Sequence, residues 1–199
     1  DDDFFGALPI GYRLEEYQIE SILGQGGFGI TYKARDTNLN KLVAIKEYLP
    51  EQFALRKRTD TVSPRQGSRD DFQWGLERFL QEAQTLGQFE HPNIVPVLRY
   101  FEANSTAYMV MAYQDGQALG DILDSVQILE ESELEEIIYP LLDGLEAVHR
   151  AGVLHRDIKP DNIFIRLVDG TPVLLDFGAA RQAIGARHRN VTRIVTPNY

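Results

Sequence analysis

Residues 24–34, Gly24-Gln25-Gly26-Gly27-Phe28-Gly29-Ile30-Thr31-Tyr32-Lys33-Ala34, place four glycines in six positions and then turn β-branched and aromatic. The Gly24-x-Gly26-x-x-Gly29 spacing alone does not say which kind of phosphate cradle this is, because short glycine patterns also occur in ordinary loops. The flanks discriminate. A Walker-type loop must end in Lys-Ser or Lys-Thr, whereas Gly29 is followed by Ile30-Thr31. A dinucleotide-binding turn must open a helix, whereas Ile30 to Arg35, a polar turn at 36–41 and Leu42-Val43-Ala44-Ile45 read as a β-hairpin. What remains is a glycine loop between antiparallel strands, which calls for a lysine at the end of the next strand; Lys46 stands there.

On these residues the chain resembles the protein kinase family, whose glycine loop and Val-Ala-Ile-Lys strand match residues 24–29 and 43–46. Two distant motifs agree. His155-Arg156-Asp157-Ile158-Lys159-Pro160-Asp161-Asn162 has the catalytic-loop spacing, and Asp176-Phe177-Gly178 follows in the right order. The resemblance implies an α+β, protein-kinase-like two-lobe fold, with a five-stranded antiparallel N-lobe sheet plus one helix and an incomplete helical C-lobe. The wording of residues 43–50 and 154–163 is similar to bacterial eukaryotic-type (Hanks-type) serine/threonine kinases, which are cytoplasmic or membrane-tethered; a cytoplasmic location is expected.

Bulk properties are compatible with this. The 199 residues, 43% of them hydrophobic, suffice for one larger domain or two small lobes. A net charge of -10 with no long basic stretch argues against a nucleic-acid binder. Cysteine is absent, so thiol chemistry is excluded, and no apolar run approaches a membrane span. The Asp-rich start has neither Met nor signal peptide, and the chain reads as a piece of something longer.

Patterning divides the chain into an N-terminal extension (1–11), an N-lobe (12–112) and a partial C-lobe (113–199). Strands are expected at Tyr17 to Leu23, across the hairpin, at Ile94 to Phe101 and at Thr106 to Ala112. A helix is expected from Phe72 to Gly87, with Phe72, Leu76, Phe79, Leu80, Ala83 and Leu86 on one face. From Ser132, spaced as a capping box with Glu135, Leu134, Ile137, Ile138, Leu141, Leu142, Leu145 and Val148 form a stripe that contains Pro140. Residues 111–116 would be the hinge.

The resemblance implies ATP and Mg2+ as cofactors and assigns roles to residues. Leu23, Gly24, Gln25, Gly26, Gly27, Phe28, Gly29, Ile30, Thr31, Ala44, Lys46, Met111, Ala112 and Tyr113 would bind ATP. Lys46 would pair with the α- and β-phosphates and be held by Glu82, preferred over Glu77 and Glu90. Asp157 would accept the proton of the substrate hydroxyl, Lys159 would support the γ-phosphate, and Asn162 and Asp176 would hold Mg2+. The Arg156 and Lys159 pair favours protein serine/threonine substrates over small molecules. His155 reads as a buried structural histidine.

Some features exceed or depart from the family pattern. Position 31 is Thr where Val is usual, and Lys46 and Glu82 stand 36 positions apart. The extra length, 50–71, carries Arg56, Lys57, Arg58, Arg65 and Arg69 and reads as a solvated loop; a docking or anion-sensing insert is the sharper alternative. In the activation segment Arg181, Arg187, Arg189 and Arg193 surround Thr192, the candidate phosphosite, and Thr196, which resembles the threonine that bonds the catalytic loop. The sequence ends at Tyr199, before the Ala-Pro-Glu element. That leaves the underside of 137–148 to be covered by more chain, a dimer or a partner chain, and leaves a truncated or pseudo-kinase regulatory module as the alternative to an active kinase.

Overall fold

A computed structural model describes residues 6–58, 60–126, 129–150, 152–155 and 157–177. Period-two alternation organises its first half. Strand β1 (Arg13–Leu14) pairs antiparallel with β2 (Tyr17–Gly26), β2 with β3 (Gly29–Asp36), and β3 with β4 (Lys41–Tyr48). Next come a separate short hairpin, β5 (Ala54–Arg56) and β6 (Val62–Pro64), and helix α1 (Arg69–Leu86). Strands β7 (Val97–Ala103) and β8 (Thr106–Ala112) complete a sheet of order β1-β2-β3-β4-β8-β7. Its five long strands are the expected antiparallel sheet, with the two-residue β1 added at one edge. Strand β2 runs past Leu23 because the glycine loop itself pairs, Gly24 with Thr31 and Gly26 with Gly29. Ile94 lies outside β7 and makes an isolated parallel bridge to Leu174.

The insert is not a solvated loop. Phe53, Ala54 and Val62 join the N-lobe core, and the Arg56 side chain is 5% exposed where it pairs with Glu47. Burying a carboxylate is costly unless donors surround it, and the hairpin brings one. Lys57, Arg58, Arg65 and Arg69 are exposed, as a basic run in solvent would be.

Helix α1 buries Phe72, Leu76, Phe79 and Ala83 against the sheet, with Leu80 partly buried, while Leu86 at its end joins the second core with Ile94, Leu141 and Leu174. In a folded protein most helix stability comes from packing an amphipathic face rather than from propensity. Each large apolar side chain buried contributes about 1.5–3 kcal/mol relative to exposure, so packing holds α1. Tyr48, fully buried, stacks at a tilt on Phe72 and Phe79, with ring centroids 5.3 and 5.7 Å away, and ties the helix to β4.

The second half contains β9 (Gly116–Ala118), α2 (Leu119–Ser125), α3 (Glu131–Arg150), a 3-10 turn (Pro160–Asn162), β10 (Ile163–Arg166) and β11 (Pro172–Leu174), the strands ordered β11-β10-β9. Helix α3 starts before Ser132, so the expected Ser132–Glu135 capping box does not form. Glu133 Oε2 instead accepts the Glu130 N–H at 2.9 Å, and Glu131 and Glu133 in the first turn suit the helix dipole. Pro140 lies inside the helix. The expected stripe splits in two. Leu141, Leu145 and Val148 are buried with Ile137 packed beside them, while Leu134, Ile138 and Leu142 are exposed.

The halves are joined by backbone. Asn93 O accepts the Leu174 N–H at 2.8 Å, Leu174 O accepts the Val95 N–H at 3.1 Å, and Asn93 Nδ2 donates to Pro172 O at 2.8 Å. Among the described residues no helix is long and apolar enough to cross a membrane.

Candidate active site

The glycine loop is a tight turn, since β2 and β3 meet at Gly26 and Gly29. A Cβ at Gly29 would overlap the Glu47 carbonyl oxygen, so only glycine permits this approach of β3 to β4. Around Gly24, Gly26 and Gly27 the space a side chain would occupy is open. The tip is tethered: Phe28 O accepts the Leu49 N–H at 3.1 Å and Gly27 O accepts the Glu51 N–H at 3.2 Å.

Alternation along β4 turns Val43, Ile45 and Glu47 into the core and Ala44 and Lys46 toward the cleft. Lys46 Nζ lies 2.6 Å from Asp176 Oδ1, bridging the two halves. Burial works against the lysine's charge, but Asp176, Glu82 and Asp157 outweigh it and hold its pKa above the usual lysine value. Burial likewise works against an ionised Asp176, and Lys46 outweighs it, holding the carboxyl below its ordinary range. Glu82, buried on α1, acts on Lys46 through its charge and lines the same cavity. The role expected of Glu82 was to hold Lys46; here the lysine's ion pair is with Asp176.

The catalytic-loop residues are arranged around His155. Its Nε2 donates to Leu175 O at 2.8 Å, which leaves Nδ1 to accept the Asp157 N–H at 3.3 Å. Both bonds suit the neutral ring, and burial lowers its pKa. The histidine also packs against Phe177 at 4.4 Å, so it serves structure, as expected. Asn162 Nδ2 donates to Asp157 O at 2.8 Å and to Asp157 Oδ2 at 3.0 Å. The Leu175 N–H donates to Asn162 O at 2.8 Å, bringing Asp176 alongside. Lys159 Nζ lies 3.7 Å from Asp161 Oδ2.

Two adjoining cavities open between the halves. The first, about 600 Å³, is lined by Gly24 to Gly29, Thr31, Lys46, Glu82, Asp157, Lys159, Asn162 and Asp176. The second, about 450 Å³, is lined by Leu23, Gly24, Thr31, Ala44, Met111, Ala112 and Tyr113, and shares Gly24, Thr31, Asp161 and Asp176 with the first. The first compartment gathers acidic side chains around Lys46 and Lys159, and the other lies against the hinge. Ile30 is the exception among the expected ligands: alternation turns it into the core, where it is 1% exposed. Gly178, Arg156, Thr192, Thr196 and the arginines at 181, 187, 189 and 193 lie outside the described residues.

Sequence reading missed Tyr48 and Phe79 in the first cavity and Val95, Phe164 and Leu175 in the second. Phe164 was reachable, because it follows Asn162 by two positions at the start of β10. Among the described residues no group of three or more His, Cys, Asp or Glu could cage a metal. Asn162 and Asp176 nevertheless offer the oxygen atoms a hard divalent cation prefers, and such a cation completes its shell with phosphate oxygens and water.

The family model described as "Protein kinase domain" matches residues 17–199. The serine/threonine-protein kinase PknA of a Nostoc species is 35% identical over 173 residues, covering 85% of this chain and 28% of the relative. Among solved structures, one titled PpkA-294 apo form superposes with a TM-score of 0.87 at 39% identity, covering 96% of this chain and 69% of that one. Rad53 in complex with AMP-PNP superposes with a TM-score of 0.65 at 27% identity, covering 83% of this chain and 39% of that one. The chain spans 24% to 32% of the length of the first curated relatives it matches.

Proposed function

The chain belongs to the protein kinase family, and on that premise we propose that it transfers the γ-phosphoryl group of ATP to serine or threonine hydroxyls of proteins. The observation that carries the reading is the convergence of Lys46, Asp157, Lys159, Asn162 and Asp176 on one cavity beneath an open glycine turn.

Phosphoryl transfer needs little covalent work from the protein, so positioning and charge neutralisation do most of it. Glycine-loop amides approach the phosphates without side-chain obstruction, and the adenine lies against Ala44 and the hinge at Met111 to Tyr113. Lys46 releases Asp176 to pair with the α- and β-phosphates. Asn162 Nδ2 orients the Asp157 carboxylate through Oδ2, and that carboxylate is the group that receives the substrate hydroxyl. The hydroxyl oxygen bonds to the γ-phosphorus, the bond to the bridging oxygen of ADP breaks, and the hydroxyl proton passes to Asp157. Lys159 balances charge on the transferred group. Asn162 Oδ1 and an Asp176 carboxylate oxygen are the atoms that would hold Mg2+, which when bound neutralises the β- and γ-phosphates.

The test is label transfer from γ-labelled ATP to a Ser/Thr-rich acceptor protein by the full chain. Asp157→Asn should bind nucleotide as the parent does and lose transfer by about 100-fold or more. Parent and variant that bind nucleotide equally and both fail to transfer would instead identify a nucleotide-binding regulatory module.

A further inference from the structure

The structure assigns a role to the 50–68 hairpin: we propose that it is a positioning element for the nucleotide site, locked in place by Arg56. The proposal rests on the glycine turn being the phosphate-binding element, as above, and on three sets of contacts.

First, Glu47, the residue after Lys46, is fully buried on the opposite face of β4. Its carboxylate accepts from Tyr32 Oη at 2.7 Å, from Tyr108 Oη at 2.6 Å and from the Arg56 guanidinium. The same guanidinium donates through Nε to Gly6 O at 2.6 Å and also to Asp60 O. One planar fork therefore joins β4, the hairpin turn and the N-terminal segment, a division of donors that lysine could not reproduce. Second, the residues leading into the hairpin hold the glycine turn. Leu49 and Glu51 donate their amides to Phe28 O and Gly27 O, and Gln25 Nε2 donates to Glu51 Oε1 at 2.9 Å. Arg65, on the hairpin's return, donates to Glu51 O at 3.0 Å through Nε and to Phe53 O at 2.7 Å through its N–H. Third, the return leads into α1: Ser68 N–H donates to Arg65 O at 3.0 Å, and Tyr48 Oη donates to Phe72 O at 3.1 Å.

The physical consequence follows from what each part lacks. Gly26 and Gly27 are exposed and have no side chain to pack, so beyond Phe28, which packs against the core, the turn depends on its tethers to 49–51 to fix it over a ligand. Glu47 is fully buried, out of reach of bulk solvent that could replace a missing donor, so its geometry is strongly specified once Arg56 is in place. Rigidity generated at the buried clamp passes through 49–51 to the glycine turn and through Tyr48 and Ser68 to the helix that carries Glu82. A turn already ordered loses less entropy when nucleotide binds, so Arg56 raises nucleotide affinity without touching the nucleotide.

Arg56→Met removes the fork but leaves a buried carboxylate short of donors, so loss of stability alone would confuse its result. The decisive variant is the double Glu47→Gln, Arg56→Met, in which the buried charge is gone and a neutral amide bonds to the tyrosines. Hydrogen exchange is followed in the full chain without nucleotide, and binding of a nonhydrolysable ATP analogue is measured separately. In the parent, the amides of Leu49 and Glu51 should be protected. In the double variant their exchange should accelerate by about tenfold while the amides of 107–110 in β8 are unchanged. Analogue affinity should fall about fivefold, and in turnover assays the KM for ATP should rise with little change in kcat. A double variant with parental exchange at 49 and 51 and parental affinity overturns the proposal. So does a parent whose Leu49 and Glu51 amides exchange as fast as an exposed turn, whatever the variants do. A parent that binds no analogue refutes the nucleotide reading, and the exchange comparison still decides whether Arg56 holds the turn.

Discussion

Replacing Lys46 with Met removes the cation that sits 2.6 Å from Asp176 and within the field of Glu82 and Asp157. At an effective dielectric of about 20 the bare attraction at this distance is roughly 6 kcal/mol. Most of it is offset by desolvation of the two groups, and Asp176 is 43% exposed, so water screens it further. A net loss of about 1–2 kcal/mol remains, which for a chain of this size lowers Tm by about 3–6 °C. The pH dependence identifies the cause. In the parent the Asp176 pKa is lowered, so its contribution is present above the unfolded carboxylate range and is lost only as pH falls through the folded value. The Lys46 pKa is raised, so its contribution is present below the unfolded lysine value and is lost as pH rises through the folded one. The pair is therefore complete across neutral pH. In the variant burial raises the Asp176 pKa against only the smaller opposing effects of His155 and Lys159, and the carboxyl protonates earlier. The Tm gap should be widest near pH 7 and narrow toward pH 4. A gap independent of pH between 7 and 4 would refute the electrostatic reasoning.

Gly29→Ala forces a Cβ into the Glu47 carbonyl and should cost about 1–3 kcal/mol, seen as a lower urea midpoint, whereas Gly24→Ala, with open space around it, should leave the midpoint within about 0.5 kcal/mol. Equal midpoints for the two would contradict the packing described. The His155 pKa is lowered, chiefly by burial, so the unfolded chain binds a proton that the folded chain resists and stability should fall as pH drops below about 6.5, by at most about 1.4 kcal/mol per pH unit. His155→Gln should be less stable than the parent at pH 7.5 yet show a shallower decline between pH 6.5 and 5; parallel declines would place the titration elsewhere.

The parts of this fold that were legible from sequence are those whose pattern repeats. Strand alternation and glycine spacing located β2 to β4, and Lys46 closes the strand where the pattern required it. The helical period located α1 and its buried face. What escaped depended on partners that no local pattern names. Arg56 reads as one cation in a basic run, and nothing near it in sequence shows that Glu47 waits, buried, on the neighbouring strand. Ile30 and Thr31 both follow the glycines, and only the register of β3 decides that Thr31 faces the cleft and Ile30 the core. In α3 two apolar faces share one run, and the sequence does not say that Leu141 and Leu145 meet the core while Leu134 and Leu142 do not. The Ser132–Glu135 spacing was a genuine cap pattern displaced by the glutamates that start the helix first. Lys46 was expected to be held from α1, where Glu82 acts on it through its charge, and the sequence did not show that it also reaches across the cleft to Asp176.

The most direct test of the nucleotide site is a crystal structure of the full chain with magnesium and a nonhydrolysable ATP analogue. The triphosphate should lie between the 24–29 turn and Lys46, with the cation touching Asn162 and Asp176 and the adenine beside Ala44 and Met111. Ligand bound elsewhere, or bound in the cleft with Lys46, Asn162 and Asp176 all out of contact with phosphate and metal, would contradict it.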